Sequence, residues 1–410
     1  MKLWIRLLVG CGIGVALGLA LPESGGDTPQ FFAAISDFVI HLGRYFLFPV
    51  VLFGILIGAH ELREDRATLR VYGKTLGLLL AATAVLIILG TVSVLVLSPA
   101  RIPPIFQEAP VLDLPSFQEL VYRMVPTNLF AVFSNPGEHL FPIVLMGFLV
   151  GIAIKLEEHH ADPLVTFCDA ASRVFYRLNS FAVEVLSVAI IAVAASFVFE
   201  LRAISDFEIY SQLFTVLLFD ALLVMLVIVP LLIYFLMGRE NPFVWLFAMV
   251  PPILKSVFSG DIFFATPTLI RAGKENLGIQ RRAGSAVFPL AAVLGRAGTA
   301  MVASASFVLI LRSYTALEIT FVEVIWVMTA TFGFSLLLGS VPGSGVIVAL
   351  SLLSGAYGRG MGEVYLILRP VTVILVSIGV LLDALVAAFV AYLVAYSERM
   401  QRRVHQLDFM

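Results

Sequence analysis

Between Phe321 and Leu353 the chain stays apolar for long enough to cross a bilayer, yet Ser340-Val341-Pro342-Gly343-Ser344-Gly345 interrupts it. Proline removes a backbone donor and its ring clashes with the preceding turn, so the helix breaks there. The break frees N–H and C=O groups at a depth where lipid offers no partner, at a cost of several kcal/mol each. Such backbone persists in a membrane only where protein buries it or water reaches it. A second interruption, Gly295-Arg296-Ala297-Gly298-Thr299, lies in another long apolar segment and adds an arginine at mid-membrane depth. Two broken apolar segments in one half of a chain point to a solute site in a carrier rather than to a passive anchor.

Composition agrees. Of 410 residues, 60% are hydrophobic and 13% charged, with a mean hydropathy of +1.01, which excludes an ordinary water-soluble globule. A net charge of −2 without a basic stripe offers nothing to nucleic acid. Apolar runs near 3–20, 36–60, 76–97, 140–154, 181–199, 213–237, 283–311 and 364–396 predict eight transmembrane helices. Two shorter, hairpin-like stretches lie at about 243–274 and 321–355. The first run reads as a retained membrane helix rather than a signal peptide, because so many spans follow it. Cys11 and Cys168 read as small packed residues.

Lysine and arginine placement sets the expected orientation. Lys2 and Arg6, the Arg63–Lys74 link, Lys155 with Arg173 and Arg177, Arg239, the Arg271–Arg282 cluster and the tail Arg399–Arg403 all fall on one side, read as cytoplasmic. The opposite links offer little beyond Arg101 and Arg123. Both termini are then cytoplasmic in a multi-pass protein of the cell membrane. The first hairpin enters from the cytoplasm and the second from outside, the topology of an inverted repeat, although no sequence repeat is visible.

Four motifs in order carry a family resemblance. They are Phe48-Pro49 through Ala59; Met124-Val125-Pro126-Thr127-Asn128 with Leu140-Phe141-Pro142 and Gly147–Ile154; Phe288-Pro289-Leu290 with the Gly295–Thr299 break; and Ser340–Gly345. Over nearly its full length the chain resembles the dicarboxylate/amino acid:cation symporter family, the glutamate transporters and their homologues. The resemblance implies an all-α fold of eight transmembrane helices plus two re-entrant hairpins, assembled as a homotrimer in membrane lipid. It further implies a scaffold (1–70 and 110–200) and a moving transport part (71–109 and 201–410) that carries a small-molecule solute across in an elevator motion.

Departures from that pattern bear on the coupling ion. Where the family has Asn-Met-Asp-Gly-Thr, this chain has Gly295-Arg296-Ala297-Gly298-Thr299. On the last helix only the first of four family polar positions is matched, by Asp383; Val386, Val390 and Val394 stand at the others. Sodium favours several hard oxygen ligands, so sodium coupling of the family type loses most of its side-chain support, leaving a backbone cation site near Gly295. The coupling ion is read as Na+ or H+, with no cofactor.

The resemblance places Asp261, Arg296 and Asp383 around the solute chamber. Charges at that depth cost about 2.5–3.5 kcal/mol each on insertion scales and are expected to be paired or hydrated. Arg296 either replaces bound sodium with a built-in charge or forms a fixed structural pair with Asp383. An uncompensated Asp261 or Asp383 would take up a proton. Thr299, and Ser340, Val341 and Gly345 at the hairpin tip, complete the expected solute-binding set. Asp220 and Glu184 are further intramembrane acids without a family role. His60 reads as solvent-facing, Thr127 and Asn128 as caps at a helix break, and Phe263 and Phe264 as hairpin packing. The Glu157-Glu158-His159-His160 loop reads as a solvated turn. No nucleophile–base constellation, HExxH or phosphate loop argues for an enzyme. The expected activity is cation-coupled symport of an amino acid or dicarboxylate; the rivals are an uncoupled uniporter, or a receptor or anion channel on the same fold.

Overall fold

A computed structural model describes residues 2–22, 28–103, 114–126, 128, 140–154, 160–204, 206–238, 241–314 and 319–410. Thr127, Lys155, Glu157, Glu158, His159 and Arg239 lie outside these residues. The described chain is helical throughout, with one isolated β-bridge between Ile279 and Gln401.

Four helices open the chain: α1 Leu3–Ala20, α2 Thr28–Tyr45, α3 Leu47–Glu64 and α4 Thr68–Leu97. After them come α5 Phe117–Met124, α6 Leu140–Ile154, α7 Asp162–Arg202 and α8 Phe207–Leu236. The first hairpin-like stretch is α9 Pro242–Ala248, α10 Val250–Ser259 and α11 Ile262–Glu275, followed by α12 Arg281–Leu294 and α13 Ala297–Tyr314. The second is α14 Phe321–Ser335 and α15 Gly345–Tyr357, and α16 Thr372–Ser397 ends the bundle.

Seven stretches are long and apolar enough to span a membrane, among the described residues. Among the described residues the run at 140–154 is the 15-residue helix α6. The run expected at 36–60 falls within Thr28–Glu64, a single candidate span, in which α2 and α3 meet at Phe46. Pro49, with no N–H to give, sits in the first turn of α3, where none is needed.

Breaks elsewhere follow the same chemistry. In α8 a wide π-turn at Val224–Ile228 precedes Pro230, whose ring cannot share the turn with the carbonyl four residues back. α9 and α10 meet at a bend of 54° beside Pro251 and Pro252. α10 ends on Gly260 in the left-handed region (φ +58°), and α11 starts at once with Asp261 as its N-cap. Residues 336–344 separate α14 from α15, with a 3₁₀ turn at Leu338–Ser340.

Contacts at the two ends place the hairpins. At one end Lys2 bonds Leu407 O (2.5 Å), Arg70 and Lys74 meet Glu398, and Gln401 pairs with Ile279 at the base of the first hairpin. At the other, Arg202 bonds the carbonyls of Gly18 and Leu21, and Tyr210 Oη donates to Ile367 O. There too Glu323, in the first turn of α14, accepts from Tyr357 Oη (2.8 Å) at the end of α15. The two bent stretches are thus tied at opposite ends, and their breaks at Gly260 and Gly343 approach each other. A Cβ placed on Gly343 would lie 3.4 Å from Asp261 Oδ2 and 3.7 Å from Gly260 O.

Packing in the bundle relies on small residues. On α1, Gly10, Gly14 and Gly18 recur every fourth position, and a Cβ on Gly14 would overlap Ile191 O of α7. Close backbone approach of this kind is what holds helices together where lipid is as apolar as the side chains. The stretch Arg281–Tyr314 is almost wholly enclosed, 94% of its most apolar window being buried. By contrast Val85, Ile88 and Val92 of α4 and Leu218, Phe219 and Leu222 of α8 are exposed, as lipid-facing surfaces must be.

Candidate functional site

The chain parts at Gly295 and Arg296, between α12 and α13, so the first N–H groups of α13 have no helical partner. Asp383 of α16 supplies one. Its Oδ1 accepts from the N–H of Gly298 (2.7 Å) and of Thr299 (3.0 Å), and its Oδ2 accepts from Thr299 Oγ1 (2.5 Å). A carboxylate at a helix N-terminus also meets the positive end of the helix dipole. Glycine at 298 makes the approach feasible, since a Cβ there would overlap Gly379 O and Leu382 Cβ.

Among the described residues Arg296 is the largest fully buried side chain. Its Nη2 donates to Val341 O (2.8 Å) and Leu338 O (3.1 Å) at the tip of the second hairpin, and its Nη1 lies 3.5 Å from Asp383 Oδ2. The carbonyl of Val341, beside the break at Pro342, thus finds a donor in a guanidinium 45 positions away, which also reaches Leu338 O. Its Nε and Nη1 have no hydrogen-bond partner.

The expected set is thus brought together in large part. Arg296, Thr299, Val341 and Asp383 are in direct contact, and Gly345 lies against Thr299, whose Cγ2 would be 3.1 Å from a Cβ there. Ser340 is buried beside them but spends its hydroxyl on Leu337 O (3.3 Å). Asp261 differs. Its Oδ1 caps α11 through Phe264 N–H (2.8 Å), and its Oδ2 pairs with Arg44 of α2.

Arg44 went unassigned in the sequence, although it is a basic residue inside the run expected to span at 36–60. Lys255 is the second omission. It is buried in the first hairpin with its ammonium 4.8 Å above the ring of Phe264, a cation–π contact in place of an ion pair. Phe263 and Phe264 are both fully buried, and Phe264 packs against Gly43 and Leu186. Glu184 has an explanation too, as a partner of Arg271 (2.8 Å). His60 is only partly exposed and lies 3.8 Å from Glu64 rather than facing solvent freely. Cys11 and Cys168 are buried and unbridged.

Cavities flank this core on both sides. One of about 250 Å³ is walled by Ser259, Gly260, Gly343 and Ser377 and, across from them, by Asp37 and Glu200. A larger one, about 450 Å³, lies between α3, α7, α11 and α12, with Tyr176, Arg177, Lys274 and Ser285 in its wall, and does not touch Arg296 or Asp383. Among the described residues no group of three or more His, Cys, Asp or Glu side chains could hold a metal ion. The tip carbonyls of Leu338 and Val341 are taken up by the arginine.

Sequence comparison gives this arrangement its relatives. The chain is 23% identical over 399 residues to the neutral amino acid transporter B(0) of Oryctolagus cuniculus, covering 87% of this chain and 73% of that protein. It is 22% identical over 221 residues to excitatory amino acid transporter 1 of Homo sapiens (54% of this chain, 41% of that protein). It is also 24% identical over 288 residues to excitatory amino acid transporter 5 of Mus musculus (69% and 50%). Residues 3–397 match the profile of the sodium:dicarboxylate symporter family. With its helical, multiply spanning bundle and its broken helix beside two meeting hairpins, the chain belongs to the sodium:dicarboxylate symporter family.

Proposed function

We propose that this protein carries a small organic solute, an amino acid or dicarboxylate, across the cell membrane, with the guanidinium of Arg296 standing where a coupling sodium ion would sit. One observation carries the reading. Arg296 bridges the helix break, the tip of the second hairpin and Asp383, and its Nε and Nη1 make no hydrogen bond to the described chain. A positive charge supplied by the chain need not be recruited from solution. The same feature favours a carrier that needs no sodium over a sodium symporter, and the test below separates them.

In this reading the two hairpins are re-entrant, related as inverted repeats, and close on the solute from opposite faces. Support comes from their attachment at opposite ends and the meeting of Gly343 with Gly260 and Asp261. Segments 71–109 and 201–410 form the moving part and 1–70 with 110–200 the scaffold of a homotrimer, with both termini cytoplasmic. The gathering of Lys2, Arg70, Lys74 and the basic tail at one end agrees with that orientation.

The experiment is uptake of labelled L-serine, L-aspartate and succinate into proteoliposomes, with and without a sodium gradient. Uptake of at least one solute is expected without sodium. Arg296→Met is expected to abolish it and to remove the thermal stabilisation by that solute. Sodium-dependent uptake that survives unchanged in Arg296→Met would discard the proposal.

A further inference from the structure

Asp261 and Asp383 each have a cationic partner and several donors. Asp220 has neither. It lies near the middle of the 30-residue helix α8 and is fully buried. Its Oδ2 accepts from Ser93 Oγ of α4 (2.5 Å), and its Oδ1 has no hydrogen-bond partner. No arginine, lysine or histidine among the described residues lies within ion-pair distance of it.

Surrounding elements bring no compensating charge to the acid. On α13, Arg312 donates to Val94 O (3.4 Å). On α4, Arg70 and Lys74 lie at the far end, bound to Glu398, which follows α16. On α16, Asp383 faces α13 and Arg296, and Tyr392 lies further along. The segment Val364–Val371 carries Tyr365 and Arg369, at the level of Tyr210, whose hydroxyl bonds Ile367 O. On α8 itself Glu208 and Tyr210 sit near the mouth, and α9 contributes no ionisable side chain.

Burying an ionised carboxylate with one donor and no counter-charge is costly, and binding a proton removes that charge. Hydrogen positions permit it: protonated Asp220 donates to Ser93 Oγ, whose own hydrogen goes to Gly90 O (3.0 Å). Gln212, an exposed residue that accepts from Ala100 N–H (2.5 Å) just past the end of α4, is two turns away along α8, about 12 Å. We propose that Asp220, held by Ser93, is the proton-binding site of this protein, where the carboxylate takes a proton from the solution beyond Gln212 and carries it as a carboxylic acid during transport. The proposal rests on the carrier reading above and supplies its coupling ion.

Infrared difference spectroscopy of the whole purified protein tests the site without any solute. A pH titration is expected to reveal a carboxylic-acid carbonyl band that is absent from Asp220→Asn, returns at a changed frequency in Asp220→Glu, and titrates with a changed midpoint in Ser93→Ala. Proteoliposomes with an acidic exterior test the coupling, using labelled L-serine, L-aspartate and succinate. One pH unit supports about tenfold accumulation for one proton per solute, and Asp220→Asn is expected to reach equilibrium only. An unaltered acid band in Asp220→Asn, or undiminished accumulation in that variant, overturns the proposal. A lost band with no uptake of any probe by the unmodified protein upholds the proton site and overturns the carrier reading instead.

Discussion

Asp383 does two jobs that a single substitution would separate. It caps α13 through Gly298 and Thr299, and it balances the charge of Arg296. Asparagine can still accept at the cap but leaves the guanidinium buried without an anion. Breaking a buried pair from one side costs about 3–5 kcal/mol, so Asp383→Asn should lower the thermal unfolding temperature in detergent markedly. The double variant Arg296→Met/Asp383→Asn should lose less than the sum of the two single losses. Additive losses would show that the two side chains act separately. The sequence disclosed the charged residues, because an ionisable side chain in an apolar run is visible at once. It also offered Asp383 as a partner for Arg296, but it did not disclose the other pairing. Asp261 meets Arg44 across 217 positions, and no spacing rule reaches that far.

Helix breaks were legible for the opposite reason, being local chemistry. Pro342 with its glycines and the Gly295–Arg296 step both interrupt helices where the residues require it. The break between α2 and α3 at Phe46 was less visible, since hydropathy reports burial in lipid or protein alike and does not mark helix ends. Glycine at 298 matters for what it permits: α13 approaches α16 closely enough for Asp383 to reach the N–H groups. Gly298→Ala must push the helices apart, at about 1–3 kcal/mol for overpacking. A lower unfolding temperature together with weakened solute stabilisation is the expected result, and unchanged values for both would show the contact to be loose.

The first hairpin is tied to its surroundings by charge as well as by packing. Asp261 pairs with Arg44 of α2, Arg271 with Glu184 of α7, and Phe264 fills the gap beside Gly43. If the hairpin travels with the moving part, each of these contacts must open in every cycle. Joining the first pair covalently should therefore stop the protein. Arg44→Cys/Asp261→Cys, bridged by a reducible bis-thiol crosslinker that replaces the arginine's reach, is expected to lose solute uptake and regain it on reduction, with Cys11 and Cys168 buried and out of reach. Full uptake by the demonstrably crosslinked protein would mean that α2 and the hairpin move together.

The underside of that hairpin has a further consequence, for synthesis. Gln280 N–H and Gly278 O are bonded by Met400 O (2.9 Å) and Arg402 N–H (2.9 Å), and Asn276 Oδ1 accepts from Met410 N–H (3.0 Å). These partners leave the ribosome more than 100 residues later, as the 124-residue separation of Gln401 from Leu277 illustrates. At a few residues per second, roughly 5–20, the hairpin's base waits several seconds with its polar backbone open to water. A nascent chain stalled before residue 400 would therefore expose this turn to proteases, and completing translation would close it.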